Sequence, residues 1–326
     1  MKTDPQHILI SRTDAIGDVM LTLPAAGYLK KLFPQSKISF LGRDYTAPVI
    51  KDCSAVDEFI SYDEIKALPD AEQITCFKKK KIEAIVHVFP NKHVAQLAKK
   101  AGVKLRIGTT NRLYHWLTCN KLVKLSRKKS DLHEAQLNLI LLKPLGLGQV
   151  PDLASVNQHY FFQDPGKLPA EVGQLLSEQK FNLVIHPKSH GSGAEWGLDK
   201  FSALINLLPP QRFNIIVTGS EKEMVYLADW LKKLPAHVVN LTGRLTLTEL
   251  ISLIFQTDGL IASGTGPLHI AAAAGINTLG LFPSVRPIHP GRWAPVGEKA
   301  TYIESGTGTL DTISVHMVLN KIDDWI

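Results

Sequence analysis

Short apolar runs recur along this chain, and each opens into a polar loop before a helical pattern begins. The first is Ile8-Leu9-Ile10, and Leu260-Ile261-Ala262 is a late example. The pattern predicts strands over 7–11, 37–41, 58–62, 84–89 and 105–108, with helices over 21–32, 72–80, 93–101 and 133–142. Residues 150–169 are polar, contain three prolines and lack helical periodicity, so they read as a connection. The alternation then starts again. Strands are predicted over 182–186, 214–218, 238–240, 259–262 and 278–282, the last completing the sheet. Helices are predicted over 198–208, 221–231, 247–255, 267–274 and 313–326. Strands alternating with helices indicate an α/β fold with largely parallel sheets.

A chain of 326 residues has room for two domains of ordinary size. The division expected is residues 1–160, residues 161–310, and a closing helix, 311–326, that packs back on the first domain. Two such α/β units facing across a cleft would offer a ligand site between their loops.

Composition narrows the class. Hydrophobic residues are 44% and charged residues 21%, which suits a folded, water-soluble protein. No apolar run reaches the length of a membrane span, and the first residues lead directly into a strand, so a cytoplasmic location without a secretory leader is expected. Cys53, Cys76 and Cys119 are isolated, which argues against a zinc site or a disulfide framework. The formal charge of +7 is uneven: Lys78 to Lys81, Lys99-Lys100 and Arg127 to Lys129 all lie in the first half. Such runs are either solvated helix ends or an attraction for an acidic surface or acceptor. No aromatic stacking residues are interleaved with them, so nucleic acid is not expected as a partner.

Two loops carry candidate chemistry. Ser263-Gly264-Thr265-Gly266-Pro267-Leu268-His269 follows a buried strand and enters a helix, where free backbone N–H groups and the helix dipole favour an anion. Ile8 to Pro24 begins with a strand, turns through a polar loop with Gly17, and starts a helix near Asp18. Asp18 is either a helix N-cap or a carboxylate exposed at the end of a strand, where ligands of open α/β sheets bind.

Together with four further segments these loops resemble glycosyltransferase family nine, the ADP-heptose:lipopolysaccharide heptosyltransferases. The carriers are Ile16-Gly17-Asp18, His133-Glu134 with Asn138-Leu139, and His186-Pro187-Lys188-Ser189 with Glu195-Trp196. Thr218-Gly219-Ser220-Glu221, Asn240-Leu241-Thr242-Gly243 and Gly264 to His269 complete the set. The resemblance implies a GT-B architecture of two Rossmann-like domains, the first binding the acceptor and the second the nucleotide-sugar. It implies inverting sugar transfer without a metal or other cofactor, and Asp18 as general base. Lys188, Ser189 and Gly191-Ser192-Gly193 would meet the diphosphate; Thr218, Gly219, Ser220, Asn240, Thr242 and Gly243 would border the nucleoside. Gly264, Thr265, Gly266, Pro267 and His269 would hold phosphate and donor sugar. Gly17, Arg43, Asn91, Lys92 and Arg112 are the acceptor candidates. His186, His269 and Glu221 have structural readings of equal standing, and Arg286, His289 and Arg292 form a polar loop that reaches either ligand or solvent.

The donor expected is a nucleotide-sugar such as ADP-heptose. The acceptor expected is a lipid-linked acidic or phosphorylated glycan, with peripheral contact at the inner membrane face. Two positions depart from the family pattern. Gly264 stands where an Asp is usual, and Ala194-Glu195 replace a basic residue before the tryptophan, leaving Lys188 to supply the charge. A nucleotide-sugar epimerase or a non-catalytic glycan- or nucleotide-binding relative are the competing readings.

Overall fold

The computed structural model describes residues 4–189, 191 and 193–326. The chain divides into two compact units, Met1–Gln163 and Asp164–Ile326. Among the described residues each unit contains one six-stranded sheet in which all pairings are parallel.

In the first unit the strands are β1 (His7–Ser11), β2 (Lys37–Gly42), β3 (Glu58–Ser61), β4 (Ala84–His87), β5 (Leu105–Thr109) and β6 (Lys121–Val123). Their order is β3-β2-β1-β4-β5-β6, so the direction of winding reverses between β1 and β4. Every residue of β1 is buried, because helices cover both faces of a central parallel strand. On one face Leu9, Leu41 and Ile85 pack with Phe77, Val94 and Leu97.

The second unit repeats the topology. Its strands are β7 (Phe181–His186), β8 (Phe213–Val217), β9 (Val239–Asn240), β10 (Gly259–Ser263), β11 (Asn277–Phe282) and β12 (Ala300–Glu304). The order β12-β11-β10-β7-β8-β9 places the reversal between β7 and β10. Ligands of such sheets bind beyond the strand ends at that reversal. Hence the loops after β1 and β4, and those after β7 and β10, are the places to look for chemistry.

Several expectations need correction. β11 does not complete its sheet: β12 adds an edge strand, and β6 does the same in the first unit. Both lack a continuous apolar run; only Val123 of β6 and Ile303 of β12 are buried. The helix expected over 21–32 runs Leu23–Leu32, with Pro24 in its first turn, and a separate short helix, Ile16–Met20, precedes it. The connection holds a short helix, Leu153–Asn157, whose N-cap Asp152 accepts from Ser155 N at 2.7 Å. It remains tied to the first unit through a bridge between Cys53 and Phe162.

The closing helix is Val315–Asp323. Its buried residues, Val318 and Ile322, belong to the core of the second unit with Phe201, Leu204 and Trp196. Trp196 Nε1 donates to Ile313 O at 2.9 Å, and Lys200 Nζ donates to the carbonyls of Leu310, Asp311 and Ile313 at 3.2, 2.7 and 2.9 Å. These bonds hold the final segment to the helix Leu198–Leu207.

Candidate active site

Where β1 ends, a buried arginine organises the first unit. Arg12 is 3% exposed. It donates from Nε and Nη2 to both carboxylate oxygens of Asp14, at 2.8 and 3.0 Å, and from Nη2 to Asp18. Its Nη1 donates to Glu134 Oε1 at 3.3 Å and Asn138 Oδ1 at 3.0 Å. Glu134 and Asn138 sit one turn apart on the helix Glu134–Ile140, so both reach the same side. Arg127 closes the array, donating to Glu134 Oε1 at 2.8 Å and Asn138 Oδ1 at 2.9 Å. Asn138 Nδ2 returns to Leu21 O and Thr22 Oγ1, which fixes the turn after Asp18. Burial works against the Arg12 charge, but Asp18, Asp14 and Glu134 outweigh it and hold the guanidinium protonated.

Asp18 is not an N-cap. The helix Ile16–Met20 is capped at Ala15, and Asp18 is its third residue, with its side chain 22% exposed. Burial pushes its carboxyl up; Arg12 pulls it down, and the charges of Asp14 and Glu134 add to the rise, leaving it at about 6. A carboxylate in that range is ionised at neutral pH yet basic enough to take a proton.

Asn91 joins this place from β4: it caps the helix Lys92–Lys100 and donates from Nδ2 to Thr13 Oγ1 at 3.2 Å. Gly17 lies half-buried beside Asp18, and Lys92 is exposed at the start of its helix. Arg43 and Arg112 follow β2 and β5 instead. Arg43 pairs with Asp63 at 2.6 Å, whereas Arg112 is exposed as the N-cap of the helix Leu113–Thr118.

In the second unit the predicted residues fall into two groups at the strand ends. At β8 and β9, Gly243 N donates to Gly219 O at 2.8 Å, bringing Thr218-Gly219-Ser220 against Asn240 to Gly243. Gly243 has φ +69°, a backbone conformation that side chains of L residues rarely adopt, so the turn favours glycine. Ser220 and Glu223 form a capping box for the helix Glu221–Leu231, while Glu221 is exposed in its first turn. Thr218 Oγ1 lies 3.0 Å from His186 Nδ1, and burial lowers the His186 pKa despite Glu223 nearby. His186 is therefore a neutral structural partner at the end of β7.

At β7 and β10 lies the second group. Ser189 Oγ donates to Gly193 O at 2.8 Å, and a Cβ on Gly193 would meet Gly264 O at 3.4 Å. This loop thus lies against the start of the helix Gly266–Ala274, which has Pro267 in its first turn and His269 buried within it. Thr265 is the N-cap, but its side chain makes no capping bond. Among the described residues the buried hydroxyl oxygens of Ser263 and Thr265 have no hydrogen-bond partner. Hydroxyls so placed beside a helix N-terminus can accept an anion as a hydrogen-bonding partner. Ser192, expected in this loop, lies outside the described residues.

Lys188, the cation expected at the diphosphate, has partners of its own within the protein. It pairs with Glu195 and lies over the Tyr226 ring at 5.8 Å, so its charge is already partly compensated. Glu195 Oε1 also accepts from Ser189 N at 3.0 Å. Gly264 has a packing partner: a Cβ there would approach Phe282 Cε1 at 3.0 Å, so the aromatic ring stands where a side chain would begin. In the loop after β11, Arg292 stacks on Trp293 at 4.8 Å. Arg12, Arg127, Glu134 and Asn138 were not among the site candidates; the i, i+4 spacing of Glu134 and Asn138 was the available signal.

The family model of glycosyltransferase family 9 (heptosyltransferase) matches residues 91–322. The chain belongs to this family. A provisionally named glycosyltransferase of Haemophilus influenzae is 28% identical, covering 98% of this chain and 97% of its own. A lipopolysaccharide heptosyltransferase 3 of Escherichia coli is 25% identical over 82% of this chain and 80% of its own. Among solved structures, the Escherichia coli ADP-heptose lipopolysaccharide heptosyltransferase II superposes with a TM-score of 0.77 at 19% identity, covering 98% of both chains. The family member is therefore an α/β protein of the GT-B class and a heptosyltransferase-type glycosyltransferase. Among the described residues no helix is long and apolar enough to cross a membrane.

Proposed function

We propose that this family member is an inverting, metal-independent glycosyltransferase that moves a heptose or related sugar from an ADP-sugar to a lipopolysaccharide core. Relatives named as lipopolysaccharide heptosyltransferases support the substrate class. A solved Escherichia coli heptosyltransferase bound to ADP, of the same fold, supports the nucleotide. The acceptor is a phosphorylated, lipid-linked glycan met at the cytoplasmic membrane face, which suits the basic first unit.

Asp18 takes the proton from the attacking acceptor hydroxyl as the oxygen bonds to the anomeric carbon. The bond to the diphosphate breaks on the opposite side, and the nucleoside diphosphate leaves with the electron pair. The helix start at Thr265-Gly266-Pro267 and the Ser189 loop receive the charge that develops on the leaving group, in place of a cation. Arg12 orients Asp18 and is itself neutralised by Glu134 and Asp14, so the carboxylate keeps its basicity.

The observation that carries this reading is the Asp18 carboxylate, held at a strand end by a buried arginine yet left near pKa 6. Its test is Asp18→Asn. Transfer should fall by about 10²–10⁴-fold, while the Kd for the ADP-sugar changes little. An Asn variant that transfers at the wild-type rate would refute the assignment, and a wild type that binds without transferring would mark a binding-only relative.

A further inference from the structure

The helix Leu113–Thr118, which crosses from β5 to β6, has no part in the transfer chemistry and carries an unusual surface. Leu113, Trp116 and Leu117 are 88%, 60% and 74% exposed. Their i, i+3, i+4 spacing places them on one face, while His115 and Thr118 are buried on the other. The indole N–H of Trp116 donates to Thr110 O at 3.1 Å, so its polar edge is satisfied and the ring is left outward. Lys99 Nζ donates to Leu117 O at 2.8 Å, joining a lysine to the end of the same turn.

The charge around this turn is of one sign. From Ala84 to Ser130 the chain carries eleven lysines and arginines and no aspartate or glutamate. Lys99, Lys100, Arg112, Lys121 and Lys124 among them are exposed. Glu83, immediately before β4, pairs with Lys104 at 3.4 Å and accepts from Gln6 N at 2.7 Å.

An apolar tip with a basic surround selects its partner. A second copy of the chain would bring like charges together. A nucleic acid would satisfy the charges but leave two leucines without a place. An anionic bilayer answers both, because the leucines and the indole enter the headgroup boundary while the cations meet lipid phosphates. We propose that the helix Leu113–Thr118 and its basic surround dock this protein onto an anionic phospholipid surface. This rests on the lipid-linked acceptor reading only in giving the docking a purpose, and its test reads binding and not transfer.

The experiment is sedimentation of the full-length protein with phosphatidylcholine vesicles, with and without phosphatidylglycerol. Wild type should pellet with the anionic vesicles and be released by salt, with a blue shift of tryptophan emission that Trp116→Ser abolishes. The triple variant Leu113→Ser, Trp116→Ser, Leu117→Ser should lose vesicle affinity more than tenfold while still unfolding cooperatively, and Leu113→Ser with Leu117→Ser, which keeps the Trp116 bond to Thr110, should also weaken binding at an unchanged Tm. Lys121→Gln and Lys124→Gln should each weaken binding about fivefold on anionic vesicles. Failure of the wild type to bind, or equal binding by the triple variant, would overturn the proposal. So would a self-association in solution that the triple variant abolishes.

Discussion

Replacing Asp18 by Asn should make the protein more stable while disabling it, and the size of the gain can be worked out. In an unfolded chain the carboxyl would titrate near 3.8; in the folded protein it titrates at about 6. Each pKa unit is worth 1.36 kcal/mol, so the ionised side chain costs the native state about 3 kcal/mol at neutral pH. The sign follows from the direction of the rise. The native carboxyl keeps its proton up to about pH 6, so the penalty is absent below pH 4, grows between pH 4 and 6, and is complete above. Asn has nearly the same size and no charge, and Arg12 retains Asp14, Glu134 and Asn138. Imperfect accommodation of the amide trims the gain to about 1–3 kcal/mol, which for a unit of this size is a Tm rise of about 2–10 °C. Thermal unfolding of wild type and variant at pH 8 and pH 4 measures it: a rise at pH 8 that disappears at pH 4. An Asn variant less stable than wild type at pH 8 would show that Arg12 stabilises the ionised carboxylate more than burial opposes it, and the explanation of its basicity would fail. Stability held in check at a reacting group is a common trade in enzymes.

Other outcomes follow from the same contacts. Glu134→Gln removes a negative charge that raises the Asp18 carboxyl; the acid limb of the kcat/KM profile should move to lower pH, which rate measurements between pH 4.5 and 8, roughly spanning the pKa, would detect. Lys188→Ala should weaken ADP-sugar binding about tenfold and reduce its salt dependence, as read by calorimetry, because the lysine is the cation held beside the Ser189 loop. Trp196→Ala should cost about 3–5 kcal/mol in urea unfolding, since the indole packs edge-on against Phe201 at 5.0 Å and anchors Ile313.

Much of the fold was legible because it is written locally. A central strand such as β1 or β10 has a contiguous apolar middle, Ile8-Leu9-Ile10 or Leu260-Ile261-Ala262, and the loop after it carries the glycines or cap residues that start a helix. Edge strands lack that signature. β12 alternates weakly and buries only Ile303, so nothing in its composition separated it from a loop. The helix start at Thr265 to Pro267 was legible for the same reason as the central strands, since it is contiguous in sequence. The array around Asp18 was not, because Arg12 and Glu134 are 122 residues apart and meet only when β1 and the helix Glu134–Ile140 come together.

The amino-acid pattern by itself determined that this chain is a twice-repeated α/β protein, with its glycine loops and helix starts at strand ends. Hydrophobic period, proline and capping residues act within a few positions, so no long-range contact is needed to read them. Only the tertiary structure decided which strands are neighbours and which carboxylates share the buried guanidinium. It also decided that the closing helix serves the second unit's core and that one turn after β5 stays apolar in water. Those outcomes depend on burial and on charges brought together from distant parts of the chain, which no local pattern encodes.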